Sequence, residues 1–464
     1  MKSVVHIGNA SGYWGDDPEA LLRQVSGGPL DYVTMDFLAE ITMVILQRQR
    51  ARDPKAGFAY DFIEHLKLAL PAIAERGVTV IVNAGGINPA GCAEAVQALC
   101  RDADVSLPIG VVAGDDLLPR LDALRAAGAG LDHMDGERRY DEIAGRVVAA
   151  NAYISARPVV EALRGGARII VTGRTTDAAL ILAPLVHEFG WAWDDWDRLA
   201  AGILVGHLLE CSGQSLGGNY SGDWWALPHP WDLPYPIARV DADGTAEIAK
   251  PASAGGRVST DTLRHQLLYE VHDPARYISP DVVADFTSAH FEDLPDDRVR
   301  ITDVRGTPAT PTYTVLFAYH AGWAGEIRVA FSWPDAYEKA KATAAILAKR
   351  VEMAGLDVAE WHIEYWGVDA LGGPTVPRAA DGGPASEPPE CVLRVAWRCD
   401  DPKTAGLVGR ELVPLTLSAP PAGLTGAGGG GGARGGTELL GIWPTLVDKA
   451  LVDAQVRVTL EEVT

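Results

Sequence analysis

The sequence predicts an α/β protein: an N-terminal domain of repeated βα units with a largely parallel sheet, then a C-terminal α+β domain. Three observations carry this. Short apolar, β-branched runs recur through the first half, each ending in a polar or glycine-rich turn that leads into a helical pattern. Composition then shifts at Trp224 to Pro236, a stretch rich in Trp and Pro that reads as a boundary. Beyond it strands outnumber helices, and Ala242-Asp243-Gly244 between two apolar runs is hairpin chemistry. The expected layout is an α/β domain over 1–230 carrying the active-site crevice and an α+β domain over 231–418. A mobile glycine-rich segment over 419–436 and a tail over 437–464 complete it.

Val4 to Ile7 is the first expected strand, ending at Gly8-Asn9-Ala10-Ser11-Gly12. Small residues there let backbone N–H groups approach a ligand, although the pattern is not G-x-G-x-x-G and a plain tight turn reads equally well. Pro18 to Val25 is a helix with Asp16 and Asp17 as caps. Tyr32 to Met35 is a second strand, followed by a helix from Phe37 to Arg50. Asp36 and Glu40 stand four apart, which would set both carboxylates on one helical face to share a proton or hold a divalent metal. The alternative is a cap and a solvated charge.

Tyr60 to Glu75 is helical and ends at Gly77. Val78 to Val82 is the cleanest strand signal, and it runs into Asn83-Ala84-Gly85-Gly86-Ile87-Asn88-Pro89 and a helix to Leu99. Asn83 and Asn88 are candidates to bind a carboxylate or phosphate through their amides, or are turn formers. Ile109 to Ala113 ends in Gly114-Asp115-Asp116, where one acid is a candidate base or metal ligand and a helix cap is the alternative. Val147 to Leu163 reads as one helix.

Ile169 to Thr172 is again a buried-strand run, broken by Gly173-Arg174 before the capping side chains Thr175, Thr176 and Asp177. Polar residues at a strand's carboxyl end are where open α/β sheets bind ligands. After a helix from Ala200 to Glu210, His207 and Glu210 stand at i, i+3, a spacing seen in metal bundles, but no H-E-x-x-H accompanies them. Glu210-Cys211-Ser212-Gly213-Gln214, then Gly217-Gly218-Asn219, gathers acid, thiol, hydroxyl and amides where that helix breaks. In the second half, strands are expected over Thr312 to Tyr319, Ile327 to Trp333, Trp361 to Tyr365 and Val392 to Trp397, with a helix from Asp335 to Ala354.

A net charge of −22 argues against nucleic acid or an anionic membrane as partner. Five cysteines without C-x-x-C spacing fit a reducing compartment, and no apolar run suits a signal peptide or membrane span. A cytoplasmic protein is expected. No cofactor fingerprint is evident, and a divalent metal stays open through Asp36, Glu40, Asp116 and His207.

These motifs resemble the acyclic terpene utilisation family. N-A-S-G, D-F-L-A-E, N-A-G-G-I-N-P-A-G, G-D-D and V-T-G-R-T-T-D match it, as do H-E-F-G-W-A-W-D-D-W-D, H-L-L-E-C-S-G-Q with G-G-N, and Q-L-L-Y-E-V-H-D-P-A-R-Y. The likeness runs from Val4 to about Leu415. It implies a cytoplasmic bacterial protein of operons that handle branched acids or acyl-thioesters. Longer members carry a C-terminal ferredoxin-fold domain, so a small separate partner of that fold, within a homo- or hetero-oligomer, is expected here.

The leading expectation is a lyase, a hydratase or dehydratase acting on a small carboxylate or acyl-thioester. In it Arg174 pairs with a substrate carboxylate, Asn83 and Asn88 polarise the carbonyl, and Glu210, Asp177 or Asp115 is the acid–base group. Asn9, Ser11, Gln214 and Asn219 complete the substrate contacts. The alternatives are a non-catalytic ligand-binding or scaffolding subunit, and a hydrolase using Cys211 or Ser212.

Overall fold

Runs that are apolar on both faces have to become strands covered on both sides, and the first half obeys that rule. The computed structural model describes residues 2–251, 254–379, 383–422, 424–426 and 436–461. Its elements begin β1 (Val4–Asn9), α1 (Ala20–Gly27), β2 (Tyr32–Met35), α2 (Glu40–Arg52), α3 (Asp61–Arg76), β3 (Thr79–Val82), α4 (Pro89–Asp102) and β4 (Ile109–Ala113). Next come α5 (Leu121–Ala126), β5 (Val147–Ala152), α6 (Arg157–Arg164), β6 (Ile169–Thr172), α7 (Ala179–Phe189), α8 (Trp196–Leu209), β7 (Ile237–Asp241), β8 (Ala246–Ala249) and α9 (Thr260–Leu267). Short strands follow: β9 (Tyr277–Ile278), β10 (Val283–Asp285), β11 (His290–Leu294), β12 (Arg298–Thr302) and β13 (Arg305–Thr307). The chain closes with β14 (Thr312–Ser332), α10 (Ala336–Met353), β15 (Glu360–Trp366), β16 (Glu390–Cys399), α11 (Pro402–Arg410), α12 (Leu415–Ser418), β17 (Leu424–Gly426), β18 (Thr437–Asp448), α13 (Lys449–Asp453) and β19 (Arg457–Glu461).

The chain divides into two compact units, Met1–Ala318 with Ile442–Thr464, and Tyr319–Gly441. In the first, a ten-stranded sheet has the order β11-β12-β8-β7-β1-β2-β3-β6-β4-β19. Pairing is parallel from β1 through β2, β3 and β6 to β4, and antiparallel outside that block. The sheet is therefore mixed rather than largely parallel. The reason is local: the hairpin of β7 and β8 lays β7 against β1 in antiparallel register, from Val4 with Asp241 to Gly8 with Ile237. That pairing also moves the division away from the expected 230/231, because strands over 237–302 extend the same sheet. The tail joins it too, with β19 antiparallel to β4 from Arg457 with Ala113 to Glu461 with Ile109.

The parallel strands are buried throughout β2, β3 and β6, and α1, α3 and α4 cover one face through Leu21, Phe62, Leu66, Ile73 and Val96. Gly77 closes α3 in the left-handed region at φ 70°, a conformation glycine adopts without steric cost. Val147 to Leu163, expected as one helix, is instead β5 followed by α6. Two expected strands, Thr312 to Tyr319 and Ile327 to Trp333, are one 21-residue strand.

In the second unit, β16 alternates buried and half-exposed residues along its length, the pattern of a sheet with one face on a core. Leu393, Val395 and Trp397 pack with Ile327, Val329 and Phe331 of β14 under Ala336, Ala340, Ala344, Leu347 and Val351 of α10. Of the expected glycine-rich segment, Leu424–Gly426 pairs with β14, and residues 423 and 427–435 lie outside the described residues. Among the described residues no helix is long and apolar enough to cross a membrane.

Candidate active site

The turns after β1, β2, β3 and β6 converge on one end of the parallel block, and hydrogen bonding decides which of their polar groups remain available. Asn9 donates from Nδ2 to the carbonyls of Ser11 (3.0 Å) and Glu210 (3.1 Å), and its Oδ1 accepts from Thr34 Oγ1 at 3.2 Å. Ser11 Oγ donates to the carbonyl of Asp36 at 2.9 Å. Asn83 is fully buried, accepts the Phe37 N–H at 2.8 Å and donates to Asp36 Oδ1 at 2.5 Å. Asn88 caps α4 by accepting from Gly91 N–H, and its amide donates to the carbonyls of Lys55 and Ala56. These four expected ligand contacts therefore knit turn to turn, with their capacity engaged inside the protein.

Asp115 has a similar fate. It is 2% exposed, and its Oδ2 accepts both Arg174 N–H and Asn151 Nδ2 at 2.9 Å. Burial pushes its carboxyl up to about 7. It clamps the β6 turn from behind and does not line the crevice. Asp116 caps the following turn through Leu118 N–H at 3.1 Å.

The crevice itself has a volume of about 610 Å³. Asp36, Glu40, Arg174, Asp177, Glu210, Cys211, Ser212, Gln214 and Asn219, all singled out from sequence, line it. Asp36 and Glu40 meet there although Asp36 precedes α2, so the reason is the turn rather than a shared helical face. Asp16, Asp17 and Glu270 join them, giving seven carboxyl groups against one cationic side chain, Arg174. Asp16 was legible only as a helix cap. Its Oδ2 accepts the Gly12 N–H at 2.9 Å and the Ser212 hydroxyl. Glu270 was legible only as part of the family motif Q-L-L-Y-E-V-H-D-P-A-R-Y.

Arg174 is 3% exposed. Its Nη1 donates to Asp177 Oδ1 at 2.7 Å, and its guanidinium lies 4.1 Å from the ring centre of Tyr153. Burial opposes its charge, but the charge of Asp177 holds it protonated. The expected pairing of Arg174 with a substrate carboxylate is thus partly taken by Asp177. Tyr153 in turn donates to Glu40 Oε1 at 2.7 Å, and despite burial that bond keeps Glu40 below the ordinary carboxylate value. Burial and then the charge of Asp177 push Asp36 well up, so it keeps a proton where Glu40 does not.

Across the crevice, the last turn of α8 presents His207, and Glu210 follows one helical turn later on the same face. His207 Nε2 faces the Leu267 carbonyl at 3.2 Å, and a carbonyl only accepts, so Nε2 carries a hydrogen. The 2.8 Å contact between Nδ1 and Glu210 Oε1 then holds a single proton, on one partner or the other. Burial and the charge of Asp177 raise Glu210, while Glu210 raises His207 against the effect of its own burial. The imidazole is fixed by stacking on Phe286 at 5.7 Å. Glu210 Oε2 is buried and has no partner. The i, i+3 pair thus works as a proton-sharing dyad. Asp36, Glu40, Asp116 and His207 do not form one set of ligands, and among the described residues no three His, Cys, Asp or Glu are grouped to hold a metal. Burial and Glu210 push the Cys211 thiol far above its ordinary value, which disfavours a thiolate nucleophile.

The model of the family described as acyclic terpene utilisation family protein AtuA matches residues 5–458, and the chain belongs to that family. No curated protein and no solved structure matches the chain.

Proposed function

We propose that this member of the acyclic terpene utilisation family is an acid–base enzyme of the lyase class, adding or removing water on an acyl-thioester. The observation that carries the reading is Glu210: a buried carboxyl with raised proton affinity, one oxygen tied to His207 and the other unpaired on the crevice wall. A carboxyl whose proton affinity burial has raised is a candidate general acid–base group. The crevice volume suits a small-molecule site. Of the two substrate classes expected, the neutral carbonyl of a thioester fits better than a free carboxylate, since the carboxyl groups lining the crevice outnumber its one cationic side chain, which Asp177 already engages.

In dehydration, with the shared proton on His207 Nδ1, the Glu210 carboxylate takes the proton from the carbon next to the thioester carbonyl through Oε2. Asp36, kept protonated by burial and Asp177, gives its proton to the departing hydroxyl, which leaves as water. Arg174 and Asp177 hold each other and set the field at Asp36. Purified protein, with and without a small ferredoxin-fold partner, is assayed against 3-hydroxyacyl and enoyl thioesters. Turnover that Glu210→Gln abolishes supports the reading; ester hydrolysis without hydration or dehydration would overturn it.

A non-catalytic binding or scaffolding subunit is the second reading. Its supporting observation is the loop bearing Trp224, Trp225 and Trp231, which are 59%, 71% and 81% exposed. Unchanged pathway flux with Glu210→Gln and intact assembly would favour it.

A further inference from the structure

Removing a proton beside a thioester carbonyl loads negative charge onto the carbonyl oxygen, and a site performing that step needs a donor aimed there. Asn83 and Asn88 cannot serve, because their amides are engaged within the turns. Another donor on the crevice wall is unengaged.

Gln214 lies in the short 3-10 turn Ser212–Leu216 that follows α8, and it is 7% exposed. Its Oε1 accepts from Asn219 Nδ2 at 2.9 Å. That bond settles which end of the amide is which: the acceptor is used, and the donor end faces the other way. The turn is shaped for this contact. Gly217 at φ 108° and Asn219 at φ 54° both occupy the left-handed region, which returns the Asn219 amide over Gln214. Gln214 Nε2 is then buried with no hydrogen-bond partner. A buried amide donor is normally paired, so an unpaired one on a crevice wall points to a ligand acceptor.

The second observation is its neighbour. Glu210 Oε2, an unpaired buried acceptor, lies four residues earlier on the same wall. An unpaired donor and an unpaired acceptor from residues lining one crevice complement a group offering both an acceptor oxygen and a removable proton. A carbonyl with an ionisable α-carbon is such a group.

We propose that Gln214 Nε2, oriented by Asn219, is the donor that binds the thioester carbonyl oxygen and stabilises the enolate formed when Glu210 takes the α-proton. The proposal rests on the acid–base reading above. Electrons from the broken C–H bond move onto the carbonyl oxygen, Glu210 Oε2 receives the proton, and Gln214 keeps both of its amide hydrogens throughout. Asn219 is a positioning residue.

The probe is the 3-hydroxybutyryl thioester of N-acetylcysteamine, used with the full chain. Gln214→Leu keeps the volume and leaves only the exposed Asn219 amide without its acceptor, so the melting temperature should hold or rise. The expected loss in kcat is on the order of 10²-fold, with little change in KM, because the bond strengthens as charge develops. Asn219→Ala should lose less. Independently of turnover, the Gln214 side-chain amide resonance should shift when the probe binds wild type.

Gln214→Leu with wild-type kcat, or with a loss that follows a lower melting temperature, overturns the assignment. If Glu210→Gln abolishes turnover in that case, the acid–base reading survives without it. If wild type turns nothing over, an unshifted Gln214 amide at saturating probe overturns the assignment, and a shifted one supports it.

Discussion

Asp115→Asn separates a structural clamp from a reactant. In the native state, burial raises the carboxyl from 3.8 to about 7, even though Arg174 N–H and Asn151 pull it down. In the unfolded chain an aspartate titrates near ~3.9. The native state thus holds this proton longer than the unfolded state does. Its contribution to stability is full below pH ~4, declines as pH rises towards ~7, and is level above that. About three pKa units at ~1.36 kcal/mol each put the whole decline at ~4 kcal/mol. Asparagine keeps one oxygen to accept from Arg174 and Asn151 and carries no charge, so the decline disappears in the variant. Urea midpoints at pH ~4.5, ~6 and ~7.5 read this directly. The variant should gain on wild type as pH rises, by most of that amount across the series. A difference that does not change with pH would refute the argument, since the carboxyl would then titrate alike in both states.

Two further substitutions test the frame around the crevice. Gly173→Ala would place a Cβ 2.0 Å from Asp115 Oδ1 and 2.7 Å from its Cγ, so it should cost about 1–3 kcal/mol, read as a lower urea midpoint. Asn88→Ala removes the cap of α4 and two ties to the segment at Lys55 and Ala56; a loss of about 1–2 kcal/mol in thermal unfolding is expected, and an unchanged midpoint would contradict the capping role.

The strands β1 to β4 and β6 were legible because local chemistry determines them. Each is an apolar run too short for a helix, stopped by glycine, asparagine or, after β2, Asp36. β5 was not, since V-V-A-A-N-A is rich in alanine and adjoins a true helix. Its strand form depends on partners such as Thr314, whose carbonyl accepts the Tyr153 N–H from more than 150 residues away. The antiparallel additions of β7 and β19 are hidden for the same reason, being set by contacts distant in sequence. At the site, sequence located the right turns but could not tell an available amide from an engaged one. Asn83 and Gln214 look alike as residues in polar turns. Only the paired bonds of Asn83 to Phe37 and Asp36, and the unpaired Nε2 of Gln214, distinguish them. His207 and Glu210 were visible as a spaced pair, yet the Leu267 carbonyl that makes them a proton-sharing dyad lies 60 residues on.

In the proposed reaction Glu210 moves a proton at carbon. The most direct measurement is α-proton exchange: an acyl-thioester is incubated with the protein in D2O, and deuterium at the α-carbon is followed by NMR. Exchange by wild type that Glu210→Gln removes, while Asp115→Asn retains it, is the predicted result. Exchange at the same rate in wild type and Glu210→Gln would contradict the central claim.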